Sequence, residues 1–281
     1  MGLQQEQIRE EQKQRWNDVS QGWIKWGQFI REFLRPTGEV IIERLEIKED
    51  DIVLDVAAGT GEPGLTIAAI VKKGSVTGTD LSDDMLQIAE ANADAKGLKN
   101  YSTKPADVCK LPFEDNTFNK ISCRMGFMFF PDLQLATNEL YRVLKPGGCL
   151  AISVWSAPDK NFWYTVVLDA IDKHIKLPPS SPDVPGMFRC SQPDLMTNIF
   201  EQAGFKHVGV QELVDKVDFV DADTYWQNRV DISESVIAAL KKADAATIAA
   251  IKNEVYANVN ANSINGRALL EYGADIIYGE K

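Results

Sequence analysis

Histidine and cysteine are scarce in this chain, two and four respectively among 281 residues. Cys109, Cys123, Cys149 and Cys190 form no CxxC pair, and only His174 and His207 are there to join them, so no metal site is expected. Four scattered thiols read as reduced cysteines of a cytoplasmic protein. Positive charge is also short. Thirty Lys and Arg face 41 Asp and Glu, a formal net charge of −11. A surface that neutralises phosphates needs clustered cations, so nucleic acids and anionic membranes are not expected partners. No apolar run approaches the roughly 20 residues that span a bilayer. The opening MGLQQEQIREEQKQRW is polar throughout, without the apolar stretch of a signal peptide. Internal repeats and low-complexity linkers are missing too, and nothing in the residues marks an oligomeric state.

What is there is an ordinary globular composition, 44% hydrophobic and 25% charged. One domain over residues 1–281 is expected, in four parts. Residues 1–36 read as a helical segment carrying Trp16, Trp23, Trp26, Phe29 and Phe33, closed by Pro36. Residues 37–156 alternate: a helix through EVIIERLEI, a strand DIVLDVA, a helix PGLTIAAIVKK, a strand SVTGTD, a helix DDMLQIAEANADAK. A short strand near YSTKPAD, a strand FNKISCR, a helix from Asp132 to Leu144 and a strand CLAISVW follow, with KPGG before the last reading as a helix stop. This alternation predicts an α/β fold, a parallel sheet with helices on both faces. GFKHVGVQEL, after a helix PDLMTNIFEQA, and ALLEYGADIIYG supply a sixth and seventh strand. Residues 157–192 and 221–262 fall outside the alternation and are expected to cover a substrate; within them LPPSSPDVPG reads as a loop.

The stretch VLDVAAGTGEPGLTIAAIVKKG contains a literal GxGxxG at Gly59, Gly61 and Gly64. Such a turn between strand and helix lets a ligand approach the backbone. Asp80, ending the second strand, stands where a carboxylate accepts hydrogen bonds from ribose hydroxyls. Both a nicotinamide dinucleotide and another adenosine ligand carry that ribose. Asp55 separates them: a carboxylate four residues before Gly59 repels a pyrophosphate and favours a cationic ligand.

At these residues the chain resembles the class I S-adenosylmethionine-dependent methyltransferases, in particular the broad group that includes the ubiquinone and menaquinone C-methyltransferases. Asp55–Gly61 is similar to the first motif, DxGxGTG, with Ala57 in place of its first glycine; the turn is expected to survive the added methyl. GTDLSDDML resembles the second motif and PADVCKLPFEDNTFN the third, and ELYRVLKPGGCLAIS the helix, turn and fifth strand that follow. The resemblance covers residues 38–156. It implies a Rossmann-like, seven-stranded, mostly parallel sheet with an antiparallel last strand, and S-adenosyl-L-methionine as cofactor. It places Asp55, Ala57, Gly59, Thr60 and Gly61 in the first cofactor loop, Asp80 at the ribose, Leu81 beside the adenine and Met85 in the next helix turn of the cofactor site. Asp107 is placed to accept from the adenine amino group and Val108 to donate from its backbone, with Arg124 and Met125 along the methionine part.

A small, apolar or aromatic methyl acceptor suits the rings and methionines after the fourth and fifth strands: Met125, Phe127 and Met128, then Trp155, Phe162, Trp163 and Tyr164. Phe129 and Phe130 are expected in the helix-to-sheet core. His174, on the stripe of Trp163, Val167 and Ile171, is the candidate general base. A nicotinamide-dependent oxidoreductase, favoured by the literal GxGxxG, and a cofactor-binding protein without turnover are the alternatives.

Overall fold

The computed structural model describes residues 3–177 and 184–281. Two helices come first, α1 (Leu3–Lys25) and α2 (Gly27–Leu45), meeting at Trp26. Pro36 does not close the segment, contrary to expectation: α2 runs through it and takes in EVIIERL. A proline inside a helix removes one ladder donor and crowds the preceding turn. Side chains brace the carbonyls just before Pro36. Thr37 Oγ1 donates to the Leu34 carbonyl at 2.7 Å, Arg124 Nη1 to the same carbonyl at 3.3 Å, and the Tyr272 hydroxyl to the Phe33 carbonyl at 3.5 Å.

The alternation then follows as β1 (Ile52–Val56), α3 (Gly64–Ile70), β2 (Ser75–Asp80), α4 (Asp83–Ala95), β3 (Tyr101–Pro105), β4 (Phe118–Arg124), α5 (Leu133–Val143) and β5 (Leu144–Trp155). The KPGG residues extend β5 rather than preceding it, because Leu144 already pairs with Phe118. Beyond lie α6 (Phe162–His174), α7 (Leu195–Ala203), β6 (Lys206–Asp218), α8 (Ala222–Ile232), α9 (Glu234–Leu240), α10 (Ala245–Ala261) and β7 (Leu269–Glu280). The loop expected at LPPSSPDVPG falls largely on residues 178–183, outside the described residues.

The seven strands form one sheet in the order β3-β2-β1-β4-β5-β7-β6, with β7 antiparallel to both neighbours and the other pairs parallel. This is the Rossmann-like α/β architecture expected. Successive residues of β1 feed opposite faces. Val53 packs with Leu65, Ile67 and Ala68 of α3 and with Ala89 and Ala93 of α4, whereas Leu54 and Val56 join Leu34 of α2 and Leu140 of α5. Cover on both faces is what permits so apolar a strand. Because the chain starts at β1, moves outward to β3 and returns at β4, a crevice opens beyond the carboxyl ends of β1 and β4, where ligands of such sheets bind. Among the described residues no helix is long and apolar enough to cross a membrane, and no cluster of His, Cys, Asp and Glu could hold a metal ion.

Candidate functional site

The turn leaving β1 starts at Ala57, whose φ of 51° is left-handed, a conformation that disfavours any residue with a Cβ. Space for its methyl comes from across the crevice: a Cβ on Gly126 would stand 2.4 Å from the Ala57 Cβ, so glycine after β4 is what admits alanine after β1. The turn is pinned by backbone bonds from Ala58 to the Thr79 carbonyl at 2.9 Å and from Gly61 to the Ala58 carbonyl at 2.8 Å. Gly61, at φ 109°, lies under the turn rather than on the crevice.

Asp80 ties the second strand to this turn. Its Oδ2 accepts the Gly59 N–H and its Oδ1 the Ser82 N–H, each at 2.9 Å. Burial pushes its carboxyl above the ordinary range, and those N–H groups pull it back. Ser82 caps α4 through the Met85 N–H at 3.1 Å and reaches Asn17 of α1 at 2.6 Å. Asp55 is fully buried and turned away from the crevice: it accepts from Ser122 Oγ at 2.6 Å and from the Gly64 N–H at 3.0 Å. Loss of water pushes its carboxyl up to about 7, against the pull of Ser122 and Arg124. It shapes the crevice from behind by fixing the loop.

After β3, Asp107 Oδ1 accepts the Cys109 N–H at 2.9 Å. Its Oδ2 is buried and accepts no hydrogen bond, the Arg9 guanidinium standing 3.7 Å away. After β4, half-buried Arg124 donates to the Leu34 carbonyl, and Met125 takes φ 57° with its N–H on the Ser153 carbonyl at 3.0 Å.

These ends enclose a cavity of about 110 Å³. Ala57, Gly59, Thr60, Asp80, Leu81, Met85, Asp107, Val108, Arg124 and Met125 all lie on its wall; Asp55 and Gly61 lie behind it. Phe129 and Phe130 line it too, so Phe129 is a wall residue rather than core, while Phe127 and Met128 are fully buried. The wall also holds residues that the motifs do not announce, among them Gln12, Leu34 and Glu62. Gln12, Trp16, Val19 and Trp23 recur every three or four residues on α1, a helical stripe legible in the sequence. Trp16 meets Phe129 edge-on at 5.2 Å and Trp23 at 5.9 Å, laying α1 over the crevice.

A second cavity, of about 400 Å³, adjoins the first. The two share Gln12, Trp16, Trp23, Leu34, Met125 and Phe129. Its remaining lining is aromatic and apolar, chiefly Phe33, Trp155, Trp163 and Tyr164, with Arg15, Arg229 and Glu234 as its charges. His174 is on neither wall. Helix α6 ends at this residue, and its Nε2 lies 3.3 Å from Glu254 of α10.

A family model described as a methyltransferase domain matches residues 53–148. Demethylmenaquinone methyltransferase of Listeria monocytogenes is 31% identical over 180 residues, which span 58% of this chain and 73% of that protein. Its counterpart from Geobacillus kaustophilus is 28% identical over 189 residues, 62% of this chain and 78% of that one. Among solved structures, the YcgJ protein of Bacillus subtilis is similar in fold, with a TM-score of 0.57 at 20% identity over 88% of this chain and 98% of that one.

Proposed function

The chain belongs to the class I S-adenosylmethionine-dependent methyltransferases, and from that premise we propose that it methylates a small, apolar or aromatic molecule seated in the larger cavity. One observation carries the proposal: the motif-lined cavity and the aromatic one share a wall, so two small ligands can sit side by side.

The smaller cavity suits S-adenosylmethionine because it presents a buried acceptor that receives no hydrogen bond, Asp107 Oδ2, which fits the adenine amino group. Val108 offers its backbone N–H, Leu81 and Met85 pack against the base, and Asp80, with lone pairs beyond its two backbone bonds, takes the ribose hydroxyls. Ala57, Gly59, Thr60, Arg124 and Met125 surround the methionine part, with Asp55 and Gly61 shaping the loop from behind. When bound, the cofactor supplies an activated methyl group whose leaving group is a neutral thioether. No nucleophile from the protein is needed. The residues of the shared wall hold the acceptor in line and exclude water, and such positioning contributes up to about 7–11 kcal/mol of barrier lowering. Residues 157–177 and 221–262 provide much of the cover, through Trp163, Tyr164, Arg229 and Ser235.

A nicotinamide dinucleotide suits this loop poorly. Its pyrophosphate would need the N–H groups at the start of the helix, yet Gly59 and Gly64 already donate to the carboxylates of Asp80 and Asp55. The four cysteines are free, in keeping with action in the cytoplasm. The test is a thermal shift with S-adenosylhomocysteine and with NADH, followed by methyl-labelled cofactor offered to a panel of aromatic acceptors. Stabilisation by the first ligand alone, abolished in Asp80→Ala, and label in an aromatic product are expected. Stabilisation by NADH alone would overturn the reading, and binding without transfer to any acceptor would favour a non-catalytic binder.

A further inference from the structure

Arg229, on α8, is only 2% exposed and lies on the wall of the aromatic cavity. Its guanidinium stacks over Trp163 at 4.7 Å, with Phe219 and Tyr225 farther off at 5.6 and 5.9 Å. Its hydrogen bonds go to a neutral oxygen, Asn228 Oδ1, from Nε at 3.2 Å and from Nη2. Among the described residues no Asp or Glu pairs with it. The other charges of the cavity cancel one another, since Arg15 Nε stands 3.7 Å from Glu234 Oε1. Asp231, two positions along, is held by Lys25 and by the Trp26 indole. Burial accordingly weakens the guanidinium's hold on its proton, against only the weaker opposing pull of the Tyr225 and Tyr164 phenols.

A buried cation without a counter-ion destabilises a fold unless something in the adjoining space offsets it. On the same wall the Trp23 indole N–H is buried with no acceptor. A guanidinium with no carboxylate partner among the described residues and an indole N–H with no acceptor, beside a cavity lined chiefly by rings, describe a receptor for an anionic head on an aromatic body.

Resting on the methyltransferase reading, we propose that the methyl acceptor carries an anionic oxygen group, a carboxylate or an ionised hydroxyl, held by Arg229 beside Trp163 in the larger cavity. Arg229 is then a specificity-determining residue, selecting acidic aromatic molecules over neutral ones of the same shape.

Calorimetry at pH 8.5 with S-adenosylhomocysteine saturating tests this with two matched pairs: 2-naphthoate against 2-naphthamide, and 4-nitrophenolate against 4-nitroanisole. In at least one pair the anion binds on the order of ten- to a hundredfold more tightly to the wild-type protein. Arg229→Met abolishes that preference, and Arg229→Lys retains part of it. Equal affinities within both pairs, no binding by any probe, or a preference that survives Arg229→Met overturns the proposal. The wild-type comparison decides alone should Arg229→Met not fold. S-adenosylhomocysteine affinity separates the two readings: its absence in the wild-type protein sinks the methyltransferase assignment, whereas its presence without anion preference sinks only the role of Arg229.

Discussion

Ala57 and Gly126 approach each other so closely that only one of them has room for a methyl, and exchanging the two residues tests that. Gly126→Ala places a methyl 2.4 Å from the Ala57 Cβ and 3.2 Å from Cys123 Sγ, well inside the roughly 3.5–4.0 Å at which carbon atoms attract. The backbone of Gly126, at φ −101° and ψ −32°, accepts alanine without strain, so the cost is overpacking, at the upper end of about 1–3 kcal/mol. Ala57→Gly relieves a left-handed alanine, worth about 1–2 kcal/mol, and loses about 0.5–1 kcal/mol to the freer unfolded chain; alone it is neutral to mildly stabilising. In the double variant the nearest obstacle is gone and Cys123 Sγ with the residue 57 Cα remain, so Gly126→Ala costs only about 1 kcal/mol there. The coupling energy is therefore about 2 kcal/mol. Urea unfolding followed by the fluorescence of the six tryptophans measures all four corners of the cycle. Additivity within about 0.5 kcal/mol would refute the claim that these residues touch.

Asp107→Asn keeps the acceptor for Cys109 but turns Oδ2 into a donor facing a donor; S-adenosylhomocysteine affinity falls on the order of tenfold or more by calorimetry, with little change in melting temperature. An unchanged affinity would count against the adenine placement. Asp55, raised from 3.8 to about 7, keeps in the folded state a proton that the unfolded chain has released. Its contribution is thus complete below about pH 3.8 and is lost as pH rises to 7, by up to about 4 kcal/mol, then stays level. Asp55→Asn flattens the urea midpoint between pH 5 and 8, and a slope that persists in the variant would assign the effect elsewhere. His174→Gln leaves kcat within about twofold, since the residue lies on neither cavity wall; a drop beyond about tenfold would restore it as a base.

The sheet was legible because local pattern and long-range burial agree: β2 coincides with SVTGTD, and the expected helix over residues 83–96 is α4, Asp83–Ala95, with Ser82 as its cap. Pro36 misled because α2 continues through it with the adjoining carbonyls braced by Thr37 nearby and by Arg124 and Tyr272 far along the chain, and no local rule sees the last two. For His174 the stripe itself was sound, since Trp163, Val167 and Ile171 are buried, but the helix ends there against Glu254. The first three strand ends drew attention through their carboxylates, and the sequence does not reveal which way each points. Asp80 and Asp107 reach the crevice wall, whereas Asp55 is taken up by Ser122 and Gly64. The aromatic cavity was half legible. Trp155 ends β5 and Trp163 and Tyr164 follow it in sequence, while Arg229 arrives from α8, and only the folded chain shows that no Asp or Glu among the described residues pairs with it.

The central claim is that two ligands meet across the wall formed by Trp16, Trp23, Leu34, Met125 and Phe129. A crystal structure with S-adenosylhomocysteine tests it most directly. The account predicts the adenine amino group on Asp107, the ribose on Asp80, and the sulfur facing Met125 at the mouth of the aromatic cavity. Adenine lodged among Trp155 and Trp163 instead, or a sulfur turned away from that cavity, would contradict it.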